Sequence, residues 1–443
     1  MSSHFVSGLR AWLRLVLFVL ALSLLAIGSI HPQSSSDTTR VAGWRSDIAY
    51  YLAQMKRQHY VYSKRPLPAG LIEAANRLSR NVPRYSDERI LAEFEHLASF
   101  AGDGHTYMLP FGSRRVVAHM LPLRFYLFSD GLYVIDAFAG YEQWIGSRVV
   151  RIGDTPTEVV IDRLRPALSV DNRYGYSWVG PALLGFRGYL ENFADGVGAD
   201  SVALTLKPGS AATVTRKRFA TVTAPPFRGI PKLIGSRIKG APAVPMYLSR
   251  VGDNFWVRPL ADSVLYFQFN QVMNAENESL AAFAGRFGKT IDSMNPSVII
   301  VDVRHNNGGN LDLLPPLMAV FRRYDSARRD GKIYVLTGRN TFSAAQVFIN
   351  QMDRDTHAIF AGEPSSSKPN FVGEEEAVTL PWSGAIGSIS DRYHETIPGD
   401  TRQWIEPEIK VSPTSADYFA NRDALLEKVL ATTKLRVKLT RGF

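Results

Sequence analysis

The sequence predicts an α/β protein: a layered α/β domain in the C-terminal part, preceded by a helical region and a β-rich module. Three observations lead there. From residue 263 onward, short apolar runs alternate with stretches of helical period, the pattern of strands joined by crossover helices. Between 121 and 206 the apolar runs are short and separated by Gly, Asp and Pro, which reads as strands and turns. A chain of 443 residues with 45% hydrophobic and 21% charged residues can bury a sizeable core and fill two or three domains.

Taken in order, residues 1–33 carry an apolar run over 15–30 behind Arg10 and Arg14. This pattern is an export signal, read as a signal peptide or an N-terminal anchor, and Ala26 and Gly28 supply the small residues a signal peptidase favours. The expected location is therefore the periplasm or cell envelope, with membrane contact only through this segment. Residues 38–110 read as a helical region, with Ile90, Leu91, Phe94, Leu97 and Phe100 at helical spacing behind the caps Ser86 and Asp87. That region ends in Gly102-Asp103-Gly104-His105-Thr106. Residues 115–208 are the β-rich module, and 209–257, with five prolines over 225–245, reads as an irregular connection.

Within 258–435 the pattern predicts strands at 264–269, 298–303, 333–336 and 358–361 and helices at 278–294, 313–324 and 343–352. The run 298–303 is apolar except for Asp302 and predicts a central strand buried on both faces.

Composition removes several chemistries. No cysteine is present, so thiolate nucleophiles, disulfides and iron–sulfur ligation are excluded. The net charge of +10 is dispersed in pairs such as Arg114-Arg115, Arg322-Arg323 and Arg328-Arg329, which predicts a basic surface and no nucleic-acid partner. Nine histidines form no metal-binding spacing, so neither a metal nor another cofactor is expected.

Three segments carry the candidate chemistry. In VDVRHNNGGN a buried strand runs into Gly308 and Gly309, whose backbone can turn sharply and present N–H groups; an ordinary strand-to-helix turn has the same composition. In LTGRNTFSAAQ a strand ends and Ser343 opens an apolar helix, where the helix field favours an alkoxide; a plain N-cap serine would look alike. In GEPSSSKPN, Lys368 follows the next strand, and helix, turn and strand return the chain beside its starting point. Partial burial would make that lysine a base, whereas a solvated loop lysine would do nothing.

These strings, in this order and with GDGHT upstream, resemble peptidase family S41, the tail-specific or carboxy-terminal processing peptidases with their tricorn-like and retinoid-binding relatives. The resemblance implies a crotonase-like or ClpP-like catalytic domain. It also implies that IGSRVVRIGDTPTEVV closes a degenerate PDZ-like module. The implied activity is that of a serine endopeptidase cleaving peptide or C-terminal segments of a polypeptide substrate. Ser343 would attack the acyl carbonyl, Lys368 would take its proton, and the N–H groups of Ala344 and of Gly308 or Gly309 would stabilise the oxyanion.

The chain departs from the family pattern at Gln346, where many members carry an acid, and in reading Ser-Lys-Pro-Asn around Lys368 where Gly-Lys-Gly is common. Tricorn-like relatives pair the serine with an upstream histidine, which keeps His105 as a second candidate base behind Lys368. Asp353, Asp355, His357, Glu363 and Glu406 are orienting candidates that the sequence does not separate. A catalytically inactive ligand- or peptide-binding protein on the same scaffold is the alternative. The presence together of Ser343, a base and the Gly-Gly turn argues against it.

Overall fold

The computed structural model describes residues 37–209, 213–224 and 244–433. The apolar run 15–30, and with it the export reading, lies outside the described residues. Among those described, no helix is long and apolar enough to cross a membrane.

A six-stranded sheet organises the C-terminal part, in the order Phe255–Ala261, Val264–Phe269, Val298–Asp302, Lys332–Thr337, Ile359–Gly362 and Ile409–Lys410. The first pair is antiparallel and the others are parallel. Side chains alternate across the sheet, so each strand feeds two cores. Phe267, Ile299, Val301 and Val335 pack with Phe283, Phe287, Phe321 and Phe348 from the helices Leu280–Met294, Pro315–Ala327 and Ala344–Asp355. Tyr266, Val298, Ile300 and Leu336 pack on the opposite face with Leu426 and Val429 of Ala424–Thr432.

The strand Val298–Asp302 is buried throughout, as its unbroken apolar run predicts. Its one carboxylate, Asp302, is satisfied by the Tyr266 hydroxyl at 2.7 Å and by the Arg304 guanidinium. The strands and helices expected from 263 onward are all present, with ends shifted by a few residues.

Upstream, the helices Asp37–Gln58, Ala69–Asn81 and Asp87–Ser99 form the helical region, and Ser86 caps the third by accepting from the Arg89 N–H at 3.1 Å. The antiparallel sheet Leu123–Phe128, Gly131–Ala137, Arg148–Ile152, Ser201–Lys207 and Thr215–Ala220 is the β-rich part. Two features differ from expectation. The segment 209–257, expected to be wholly irregular, contributes the edge strand Thr215–Ala220, the short strand Val222–Thr223 and the start of Phe255–Ala261, and the β-rich part also carries the helices Thr157–Leu164, Arg173–Leu183 and Arg187–Phe193.

Two properties of this fold position the site. The parallel strands Val298–Asp302, Lys332–Thr337 and Ile359–Gly362 are neighbours in register, so their carboxyl ends set the 303–309, 338–343 and 363–370 loops side by side. The short strand Tyr107–Met108 pairs with Ile386–Ile389, which fastens the turn around His105 to the C-terminal part of the chain.

Candidate active site

Ser343 stands before the first turn of Ala344–Asp355 with φ 56° and ψ −124°, a region costly for a residue with a Cβ. Surrounding hydrogen bonds enforce it. The Phe342 N–H donates to the Asn306 carbonyl at 3.1 Å, the Thr341 hydroxyl to the Val303 carbonyl at 2.9 Å, and the Ser343 N–H to Ser367 Oγ at 3.2 Å. The Ser343 hydroxyl makes no capping bond. It lies instead 3.0 Å from His105 Nε2, across 238 positions of sequence.

His105 is 3% exposed, with its ring stacked against Phe342 at 4.4 Å and Phe371 at 5.6 Å between centroids. Burial pushes its pKa down to about 4, and the Asp103 carboxylate opposes that shift without offsetting it. The imidazole is therefore neutral at physiological pH and free to accept a proton at Nε2. Among the described residues its Nδ1 makes no hydrogen bond of ordinary geometry; the charge of Glu374 and the nearby Val372 backbone are the other groups that favour its protonated form.

Asp103 builds the turn that presents this ring. Its carboxylate accepts from the N–H groups of His105 at 2.9 Å and Thr106 at 2.7 Å, from Ser390 Oγ at 2.9 Å, and pairs with His59 Nε2 at 3.0 Å. Burial raises its pKa, but the bond and charge of His59, the charge of His105 and the Ser390 hydroxyl bond together hold it below the usual value.

The two glycines fit the backbone where no other residue would. At Gly308, φ is 110° and an added Cβ would lie 2.7 Å from Ser343 Cβ; at Gly309, φ is 135° and it would lie 2.2 Å from the Val272 carbonyl oxygen. The Gly308 N–H already donates to Asn306 Oδ1 at 3.0 Å. The N–H groups of Gly309 and Ala344 make no hydrogen bond among the described residues.

Lys368 is half-buried and makes neither a hydrogen bond to Ser343 nor an ion pair among the described residues. Its charge acts on the buried Asp171. Gln346 is buried and donates to Asn350 Oδ1 at 2.8 Å.

None of the orienting candidates bonds His105. Asp353 pairs with Arg402, Asp355 with Arg322 and Arg354, His357 with Asp325, Glu363 with Arg339, and Glu406 with Lys410. Sequence reasoning missed Asp103, Asn306, Asp171 and Ser367. Of these only Asp103 had a signal, two residues before His105. A cavity of about 100 Å³ involves Arg304, Arg339 and Tyr418 but none of Ser343, His105 and Lys368. Among the described residues no group of side chains could hold a metal ion.

No protein-family model matches the chain. Among solved structures it resembles mature CPAF complexed with lactacystin, with a TM-score of 0.60 at 12% identity over 89% of this chain and 98% of that one. Mature CPAF gives 0.58 at 12% identity over 89% and 97%, and a CPAF mutant 0.61 at 12% identity over 91% and 100%. At that identity the likeness is one of architecture, and it spans both the β-rich part and the sheet that carries Ser343: the chain has the fold of CPAF.

Proposed function

We propose that this chain is an exported serine endopeptidase of the tail-specific kind, acting on polypeptide segments in the cell envelope, with Ser343 as nucleophile and His105 as its base. One observation carries the reading: a strained serine hydroxyl and a buried neutral imidazole, far apart in sequence, meet at 3.0 Å. The sequence favoured Lys368 as base. The hydrogen bond supports His105 in that role, because a base must reach the proton it removes. The likeness to CPAF, one structure of which is complexed with lactacystin, supports the fold in which this pair is set. A crotonase-like layering of the C-terminal domain and a PDZ-like β-rich module belong to the same proposal.

In this reading Ser343 Oγ attacks the acyl carbonyl carbon while its proton passes to His105 Nε2. The N–H groups of Gly309 and Ala344, which make no hydrogen bond among the described residues, stabilise the oxyanion. The imidazolium then donates its proton to the leaving amine, and water, deprotonated by the same ring, releases the acyl group.

A fluorophosphonate probe tests this. It is expected to label Ser343 in the intact protein and to label Ser343→Ala not at all. His105→Ala should label about a thousandfold or more slowly, in line with the loss of a general base. Lys368→Ala as the crippling change with His105→Ala mild would return the base to the lysine, and no labelling of the intact protein would sink the hydrolase reading.

A further inference from the structure

The stretch from Ser169 to Trp178, part of the β-rich region, touches the turn that carries His105 and the 338–343 and 363–370 loops. Ser169 Oγ donates to the Asp103 carbonyl at 2.7 Å, Asn172 Nδ2 to the Ser365 carbonyl at 3.1 Å, and Arg339 Nη1 to the Ser177 carbonyl at 3.3 Å. The Trp178 ring packs 5.2 Å from that of Phe342.

Asp171 sits among these contacts, 5% exposed, with Oδ1 accepting from the Gly104 N–H at 3.3 Å and Oδ2 buried with no hydrogen bond of ordinary geometry among the described residues, although the Ser367 side chain lies close enough to favour its ionised form. A carboxylate left half satisfied in the interior is costly, so something must balance it. The cation acting on it is Lys368, itself without an ion pair among the described residues. The neighbouring Ser367 accepts the N–H of Ser343.

We propose that Asp171 is a positioning residue that ties the Gly104–His105 turn to the Ser367–Lys368 turn beside Ser343, and that Lys368 serves as its counter-charge. This rests on the reading of Ser343 and His105 as the reacting pair and gives the lysine a task other than proton transfer. Burial first, then the Asp103 charge, pushes the Asp171 pKa up to about 7, and the Lys368 charge, the Ser367 side chain and the Gly104 N–H oppose them; Arg173, at the start of the helix that follows, is exposed. The carboxyl therefore changes charge near neutrality. Its ionised form holds the Gly104 N–H more strongly, because a hydrogen bond to a charged acceptor is roughly twice as strong as a neutral one.

Three variants of the full chain separate these parts. Asp171→Asn keeps an acceptor but no charge, Asp171→Ala removes both, and Lys368→Met removes the counter-charge. The labelling rate of the wild type should rise through an inflection near neutral pH. That inflection should vanish in Asp171→Asn and move to higher pH in Lys368→Met, since the ammonium lowers the carboxyl pKa. In Asp171→Ala the Gly104 amide should exchange about tenfold or more faster, the loss of one buried hydrogen bond, while Thr106, bonded to Asp103, stays protected. A wild-type pH profile in Asp171→Asn, or unchanged Gly104 exchange in Asp171→Ala, overturns the proposal. If Asp171→Ala does not fold, the Asp171→Asn profile alone decides. Absence of labelling in the wild type overturns the catalytic reading instead, and the Gly104 exchange then decides whether the tie exists.

Discussion

A serine held at φ 56° stores on the order of 1–3 kcal/mol of backbone strain, which persists only because the bonds of Asn306, Val303 and Ser367 over-determine the turn. Gly308 is the residue that lets this turn close. Gly308→Ala would place a methyl group 2.7 Å from Ser343 Cβ at a φ that alanine avoids. We expect a fluorophosphonate labelling rate reduced about a hundredfold or more, because an ångström of misplacement costs about that much, with a melting temperature lowered by several degrees. Labelling at the wild-type rate would show that the glycine is dispensable. The His105 environment gives a second expectation. A base must be neutral, and burial lowers this pKa to about 4, so the acid limb of labelling should lie well below the ordinary histidine value of 6.5. The test belongs in Asp171→Asn, where the inflection assigned to Asp171 is absent: an acid limb at 6.5 in that variant would mean that the ring is solvated in the working protein.

At the level of elements, the four central strands of the sheet were legible because they are apolar runs, almost wholly buried, and the helices between them are amphipathic; the outer strands Phe255–Ala261 and Ile409–Lys410, partly exposed, were not. The edge strand Thr215–Ala220 was not, because Arg216, Lys217 and Arg218 are exposed charges with no period-two apolar signal. The helix Arg173–Leu183 was hidden by Gly175, Gly180 and Pro181, which argue against helix locally and are overridden by packing. The glycine, serine and lysine strings were visible. The pairing of Ser343 with His105 was offered only by the resemblance, as a second choice behind Lys368, because it depends on the pairing of Tyr107–Met108 with a strand about 280 positions later, which leaves no local pattern.

Arg339 is the comparable link on the serine side. It is fully bonded, to Glu363 at 2.7 and 2.9 Å and to the carbonyls of Leu127 and Ser177 at 2.6 and 3.3 Å, and so joins the turn before Ser343 to the strand Leu123–Phe128 and the helix Arg173–Leu183. Arg339→Met strands a buried carboxylate and should cost about 3–5 kcal/mol in urea unfolding. The double change Arg339→Met with Glu363→Met should cost less than that single one. Additive losses would show that the two charges do not act as a pair.

For the whole molecule, buried titrating groups set how stability follows pH, and they pull in opposite directions. His105, with its pKa lowered from 6.5 to about 4, contributes stability above pH 6.5 that is lost as the pH falls toward 4. Glu95 and Asp171, raised by burial from 4.5 to about 8 and from 3.8 to about 7, bind protons more tightly folded than unfolded. Their contribution is present in acid and lost as the pH rises through those values. Two such acids outweigh one histidine, so these groups together favour the folded state at about pH 5 over pH 9.

Net charge acts on top of this: a chain carrying +10 at neutrality gains further positive charge in acid, and self-repulsion then opposes the trend. A single variant separates the two. Glu95 accepts the N–H groups of Met108 at 2.8 Å and Ser169 at 3.3 Å, so Glu95→Gln loses one of those bonds and should melt below the wild type at pH 5. Self-repulsion is nearly common to both proteins and cancels in their difference, whereas the glutamine has no proton to lose. The deficit of Glu95→Gln should therefore shrink between pH 5 and pH 9, by about 1.4 kcal/mol for each unit by which the folded pKa of Glu95 is raised. A deficit that stays constant or grows over that interval would mean that Glu95 is ionised in the folded protein throughout.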